Sequence, residues 1–263
     1  FSEMKLRILA PLRSLLKRAL QEDIGAGDLT TRLLIPKNQR GEAWILAKEP
    51  GTLSGGPVAD QIFRLRDRSL KVRLLRKEGA RIQKGEKVMK ISGRVSSILE
   101  AERVALNFLG HLSGIATQTR RTVEKVKGTR AKIFDTRKTT PLWRGLEKYA
   151  VRCGGGENHR QGLWDEILVK DNHWRALREL LERTRCRYFG ERMKPVLKRR
   201  NIPIEIEVQS LRELAHLLEG TFVPDRILLD NFPVRRLRRA VLFVKGLDFV
   251  LQKRYGLRRK RPE

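Results

Sequence analysis

Apolar positions change their rhythm along the chain, and the changes mark its organisation. Near the start, Leu6, Leu9, Leu12, Leu15 and Leu16 are interleaved with Arg and Lys. That spacing predicts an amphipathic helix rather than a signal peptide. A glycine-punctuated turn follows, Asp23-Ile24-Gly25-Ala26-Gly27-Asp28. From Glu42 to Arg94 short apolar runs replace the helical rhythm, and Trp44–Ala47, Val72–Leu75 and Val88–Ile91 read as strands separated by glycines. These elements predict a small α+β domain.

A long helical stretch runs from about Ser96 to Val126, with Ile98, Val104, Leu106, Leu109 and Ile115 at helical spacing. The segment His111-Leu112-Ser113-Gly114 is expected to divide it into two helices. Beyond Gly128 apolar runs alternate with helical ones. Ala131–Phe134, Ile167–Val169, Ile204–Val208 and Ile227–Leu229 read as strands; Arg175–Arg183, Leu211–Leu218 and Val234–Val244 read as helices. Such alternation predicts a parallel sheet or α/β barrel. The expected division is an N-terminal domain over residues 1–110 and a barrel domain over 111–263. No apolar run approaches the length of a membrane-spanning helix, so no membrane partner is expected.

Charge alters this picture only in part. Lys and Arg number 58 against 30 Asp and Glu, a formal net charge of +28. The excess favours anions, whether phosphorylated metabolites, nucleic acid or acidic membranes, and does not choose among them. Much of it is scattered, as at Arg64, Arg66, Arg68, Arg73 and Arg76, in the manner of a solvated surface. Aromatic residues make up 6% of the chain and do not interleave with a basic patch, which argues against a nucleic-acid partner. Two cysteines, Cys153 and Cys186, make no disulfide framework and fit a reducing cytoplasm. Cys153 is expected to be a small buried side chain, and His111 and His216, within helical stretches, are expected to be packing residues.

The candidate chemistry lies at strand ends. In α/β barrels the carboxyl ends of the strands line the active site. Ala131–Phe134 runs into Asp135-Thr136-Arg137-Lys138, Ile167–Val169 into Lys170-Asp171-Asn172-His173, and Ile227–Leu229 into Asp230-Asn231. Alternation in Ile204–Val208 places Glu205 and Glu207 on one face. The segment Gly154-Gly155-Gly156-Glu157-Asn158-His159-Arg160 would let backbone pass close to a ligand and present two donors. One rim is thus expected to carry Arg137, Lys138, His159, Arg160 and Lys170 beside Glu207 and Asp230. The cations suit carboxylates or phosphates; the acidic pair suits sugar hydroxyls, or Mg²⁺ through water. No Ser–His–Asp or Cys–His nucleophile pattern and no zinc-ligand spacing is present. A set of this kind holds polyanions and stabilises charge, as phosphate-sugar transfer requires.

At these residues the chain resembles the quinolinate phosphoribosyltransferase family, also called nicotinate-nucleotide pyrophosphorylase (carboxylating). The motifs are Asp135-Thr136-Arg137-Lys138-Thr139, Lys148-Tyr149-Ala150-Val151, the segment 154–160 and Val169-Lys170-Asp171-Asn172-His173. Upstream, residues 22–31 and 102–117 are similar to the family's motifs, and Glu205-Ile206-Glu207-Val208 and Leu228-Leu229-Asp230-Asn231 match downstream. The resemblance covers about the first 230 residues. It implies an N-terminal α/β sandwich joined to an incomplete α/β barrel. It also implies a reaction in NAD biosynthesis: quinolinate and phosphoribosyl pyrophosphate give nicotinate mononucleotide, pyrophosphate and CO₂, with Mg²⁺. By the resemblance, quinolinate is gripped by residues matching Arg103, Arg137, Lys138, His159, Arg160 and Lys170. Glu207 and Asp230 match the acidic residues near ribose and metal, and with Lys138 are the expected catalytic groups. Family members are homodimers or assemblies of dimers, in which the arginine matching Arg103 reaches into the partner's site.

After Asp230-Asn231 the resemblance fades. The family continues to a Ser-Gly-Gly segment and a further strand that hold the 5′-phosphate, whereas this chain reads Lys245-Gly246-Leu247-Asp248-Phe249-Val250-Leu251 and then a basic tail containing Arg258-Arg259-Lys260-Arg261. The expectation is a barrel truncated or altered after about residue 245, of the kind an altered reading frame or early stop produces, with Leu247–Leu251 as a remnant strand. Weak binding of phosphoribosyl pyrophosphate and lowered stability would follow. Two other readings compete: an inactive homologue that binds polyanions or nucleic acid through its charge, and a related pyrophosphorylase with another acceptor.

Overall fold

The computed structural model describes residues 2–184, 191–192, 195, 202–219 and 224–255. Cys186 and the basic tail from Gly256 lie outside the described residues. The chain forms two compact units, Phe1–Gln161 and Gly162–Glu263. The matched motifs are divided between them.

The first unit opens with helix α1 (Ser2–Ile24) and a short α2 (Leu29–Leu34). Asp28 caps α2, its carboxylate accepting from Thr31 N at 3.0 Å. Strands β1 (Arg40–Leu46), β3 (Lys71–Leu74) and β5 (Lys87–Arg94) make an antiparallel sheet in the order β1-β5-β3. Strands β2 (Gly51–Thr52) and β4 (Arg81–Ile82) pair separately, and α3 (Gly56–Arg66) lies between β2 and β3 in sequence. The sheet shows the alternation expected of a half-buried surface. Val88, Met89 and Ile91 of β5 are buried with Ile62, Phe63, Leu70 and the inward face of the next helix.

That helix, α4 (Val95–Lys125), is continuous, so the expected break at His111–Gly114 does not occur. Ala101, Ala105, Leu112 and Ala116 are fully buried along it. Ser113 bonds Ser54 in both directions, accepting from its N–H at 3.1 Å and donating to its carbonyl at 3.0 Å. Tertiary packing therefore overrides the weak helix preference of the Ser-Gly pair. His111, expected in the packing, is exposed, as is His216 in the second unit. Ala131–Phe134 forms no strand; only Phe134 makes a parallel bridge, to Glu157. Helix α5 (Arg144–Cys153) completes the unit, with Leu146 to Ala150 all buried.

The second unit has three parallel strands, β6 (Ile167–Val169), β7 (Ile204–Val208) and β8 (Arg226–Leu229), in sequential order. Central β7 is buried at all five positions, as expected for a parallel strand covered on both faces. Helices α6 (Asp171–Thr184), α7 (Leu211–Glu219) and α8 (Val234–Tyr255) accompany them. Ile204, Ile206 and Val208 form the core with Leu214, Leu218 and Ala240, each large aliphatic side chain contributing about 1.5–3 kcal/mol by burial. Leu247–Leu251, expected as a remnant strand, belongs to α8. No helix among the described residues is long and apolar enough to cross a membrane.

Candidate functional site

In the first unit the site residues sit on two loops tied together by Asp135. Its carboxylate accepts from Lys148 Nζ, from Asn158 Nδ2 at 2.6 Å and from the His159 backbone N–H at 2.9 Å. Lys148 Nζ also donates to the His159 carbonyl at 2.9 Å. The Lys148 and Asp135 side chains are only 2% and 7% exposed, so this is a buried ion pair, each member of which has further hydrogen bonds. Asn158 closes the set by donating to the Lys148 carbonyl at 2.9 Å. The segment beginning at Asp135 and the segment ending at Arg160 are thereby held side by side.

Arg137 and Lys138 project from a tight turn just beyond Asp135. Lys138 N donates to Thr136 Oγ1 at 3.0 Å and Thr139 N to the Arg137 carbonyl at 2.9 Å. Lys138 is exposed and Arg137 half-buried. Arg137 Nε is shielded from solvent and has no hydrogen-bond partner among the described residues. A buried donor left unmade costs about 1–3 kcal/mol, and a ligand carboxylate would recover it. His159 is half-buried and Arg160 buried on the facing loop. Arg103 lies on the exposed side of α4.

The triple glycine has a different cause from the one its sequence suggests. A Cβ on Gly154 would lie 2.5 Å from the Ala116 carbonyl oxygen, and one on Gly156 would lie 2.8 Å from Val151 Cγ1 and 2.9 Å from Thr119 Cγ2. These two glycines let the loop pack against α4 and α5. Gly155 is exposed with φ 90°, a left-handed conformation that favours glycine. Cys153, just before them, is buried, as expected, and burial pushes its thiol up to about 11.

In the second unit three strand ends converge. Val169 pairs with Ile206 and Val208 with Leu229, so Lys170, Glu207 and Asp230 fall at the carboxyl ends of adjacent strands. Lys170 Nζ stands 3.6 Å from the Glu207 carboxylate, which is 7% exposed. Asp230 N donates to the Val208 carbonyl at 3.0 Å, extending the sheet by one residue, and Asp230 Oδ2 accepts from Asn231 at 2.9 Å. Asn231 takes φ 53°, which asparagine tolerates better than most residues. Glu205 shares the face of Glu207 but does a different job. One pleat deeper, it is opposite Arg226 at 3.5 Å, and Arg226 also pairs with buried Glu166.

The sequence predicts Arg137, Lys138, His159, Arg160 and Lys170 on one rim beside Glu207 and Asp230; the structure holds the first four on two loops of the first unit and Lys170, Glu207 and Asp230 at adjacent strand ends of the second. Asp135, Lys148 and Asn158, which hold the first-unit residues in place, stand in the motifs without an assigned role, and Glu147 is not singled out. The available signal was the pair Glu147-Lys148 on a helix whose neighbouring residues are apolar.

Comparison with known proteins identifies the family. Residues 28–113 match the family model for the quinolinate phosphoribosyl transferase N-terminal domain, and residues 115–252 that for its C-terminal domain. The chain is 41% identical over 234 residues to nicotinate-nucleotide pyrophosphorylase [carboxylating] of Mycobacterium leprae, covering 87% of this chain and 78% of that protein. It is 42% identical over 223 residues to the probable enzyme of that name from Bacillus subtilis, covering 84% and 73%. The crystal structure of NadC from Streptococcus pyogenes superposes with a TM-score of 0.80 at 37% identity, over 90% of this chain and 81% of that one.

Proposed function

The chain belongs to the quinolinate phosphoribosyltransferase family, and we propose that it transfers the phosphoribosyl group of phosphoribosyl pyrophosphate to quinolinate. The products are nicotinate mononucleotide, pyrophosphate and CO₂. The observation that carries this assignment is the placement of Lys170, Glu207 and Asp230 at three neighbouring strand ends, where a barrel holds its chemistry.

Roles follow from charge and burial. The guanidinium of Arg137, with its unmatched Nε, takes one carboxylate of quinolinate, and Lys138, His159 and Arg160 supply other cationic and donor groups; Lys170, in the second unit, is assigned to substrate by its place in the family motif. Arg103 is exposed on α4 and is assigned to a second copy's substrate, which makes a homodimer part of the proposal. Departure of pyrophosphate builds positive charge on the ribosyl carbon, which the fixed carboxylates of Glu207 and Asp230 offset. Their oxygens are also the donor type that Mg²⁺ accepts, so Glu207 and Asp230 would hold the ion. Bound Mg²⁺ would neutralise the pyrophosphate. Once the ring nitrogen is ribosylated, the bond to the adjacent carboxylate breaks and its electron pair stays on the ring carbon, stabilised by the pyridinium. Exposed Lys138 is assigned to deliver the proton that this carbon then takes.

The test is turnover by the purified chain with quinolinate, phosphoribosyl pyrophosphate and Mg²⁺. Nicotinate mononucleotide and CO₂ are expected in equal amounts, with quinolinate binding abolished in Arg137→Ala. Turnover of a different acceptor, or no calorimetric binding of quinolinate, would overturn the assignment.

A further inference from the structure

We infer that Glu147, backed by His111, positions the Arg137–Lys138 turn for quinolinate; this rests on the function proposed above. The turn is pinned at its near end by Asp135 and Lys148. Its own bonds, Lys138 N to Thr136 Oγ1 and Thr139 N to the Arg137 carbonyl, set its shape but not its place. The far end is tied by Arg144, whose Nε donates to the Thr139 hydroxyl at 3.2 Å, and by the buried carboxylate of Glu147. Its Oε2 accepts from Thr140 N at 3.1 Å, and its Oε1 lies 3.0 Å from His111 Nε2. Glu147 and Lys148 are consecutive residues of α5, both buried and opposite in charge. Each holds one end of the same six-residue stretch, Asp135 to Thr140.

Two further observations give the far anchor its weight. Trp143 N donates to the Thr140 carbonyl at 3.0 Å, closing a turn in which Leu142 takes φ 68°. An aliphatic residue holds that conformation only where its surroundings impose it, and the Thr140–Glu147 bond is one of the ties that do so. Trp143 in turn stacks on Phe108 of α4, centroids 4.3 Å apart and planes within 3°, and meets the His111 ring edge-on at 5.2 Å. Burial raises the affinity of the Glu147 carboxyl for its proton, but the bonds from Thr140 and His111 outweigh it and hold the group below the usual carboxylate range. It therefore accepts as a carboxylate at neutral pH. Neither side chain is assigned contact with substrate; both act through the turn.

The experiment compares Glu147→Ala, Glu147→Gln and His111→Ala by hydrogen exchange and by calorimetric titration of quinolinate and, separately, phosphoribosyl pyrophosphate. In Glu147→Ala, exchange over residues 136–142 should accelerate about tenfold and quinolinate affinity should fall by a similar factor, the loss expected for one hydrogen bond to a charged acceptor. Peptides from β1, β3 and β5 and the affinity for phosphoribosyl pyrophosphate should stay within twofold. Glu147→Gln retains an acceptor for Thr140 N and should recover most of both effects. His111→Ala, at an exposed position that leaves the fold intact, should move both readouts the same way by about threefold. Unchanged exchange over 136–142 in Glu147→Ala and His111→Ala would overturn the inference, whether or not quinolinate binds. So would faster exchange with unaltered quinolinate affinity, or loss of both ligands together with global destabilisation. A wild-type chain that fails to bind quinolinate sinks instead the function on which the inference rests.

Discussion

Lys148→Met gives the sharpest test of how the first group of site residues is built. The substitution keeps the length and apolar stem of the side chain and removes its ammonium. What remains is a carboxylate 7% exposed, facing two weaker donors, Asn158 Nδ2 at 2.6 Å and His159 N at 2.9 Å. The His159 carbonyl also loses its 2.9 Å donor. Removing one partner of a buried ion pair costs about 3–5 kcal/mol, mostly the penalty of the charge left behind. For a protein of this size each kcal/mol moves the melting temperature by about 2–4 °C, so a fall of about 6–20 °C is expected. Thermal unfolding followed by circular dichroism measures the fall, and urea denaturation gives the free-energy loss. Asp135→Asn removes the stranded charge, and the double variant should be less destabilised than the sum of the two singles by about 2 kcal/mol. A loss below about 1 kcal/mol in Lys148→Met, or strict additivity in the double variant, would refute the idea that this pair holds the two loops together.

Glu207→Gln should lower kcat by about 10²–10³-fold, the usual effect of losing one preorganised charge-stabilising group, while quinolinate affinity changes less than threefold; steady-state kinetics with separate titration would separate the two. Leu142→Asn should stabilise the chain by about 0.5–1 kcal/mol in thermal unfolding, because asparagine accepts the left-handed backbone at φ 68° more readily than leucine. Asp67 accepts from Ser69, Ser97 and Arg94; burial opposes its ionisation, but these bonds prevail and hold its pKa well below normal. Its contribution is therefore complete above the ordinary carboxylate value of about 3.9 and is lost as pH falls through its lower folded value, so the stability gap between wild type and Asp67→Asn should narrow in acid. The Cys153 thiol, raised to about 11 by burial, should resist iodoacetamide at pH 8 in the folded chain and react only after denaturation, as read by mass spectrometry.

The second group of site residues was legible because parallel β–α alternation ties function to a fixed place, the end of a strand. Short apolar runs ending in Lys170 and Asp230, and the acidic alternation within Ile204–Val208, predicted the strand ends that the structure brings side by side. The first group was legible as motif but not as geometry. Ala131–Phe134 has the composition of a strand, yet Phe134 is 44% exposed and the segment makes a single bridge. Lys148 stands within a motif and Glu147 beside it, but neither has a role assigned from sequence, because the partners that bury them lie elsewhere in the chain. The unbroken α4 was hidden for a related reason: its continuity through Ser113-Gly114 depends on Ser54, 59 residues earlier. In each case the missing information was a partner distant in sequence.

The seclusion of the Lys148–Asp135 pair bears on how this very basic chain should respond to ionic strength. At about 0.1 M salt, interactions between exposed charges more than about 10 Å apart are largely screened, whereas buried pairs are screened much less. With a net charge of +28, the arrival of anionic ligands should slow markedly as salt is added, while the loops that receive them keep their shape. The salt dependence of turnover would then measure encounter rather than architecture, and a variant whose loops are loosened should show itself by losing activity equally at every salt concentration.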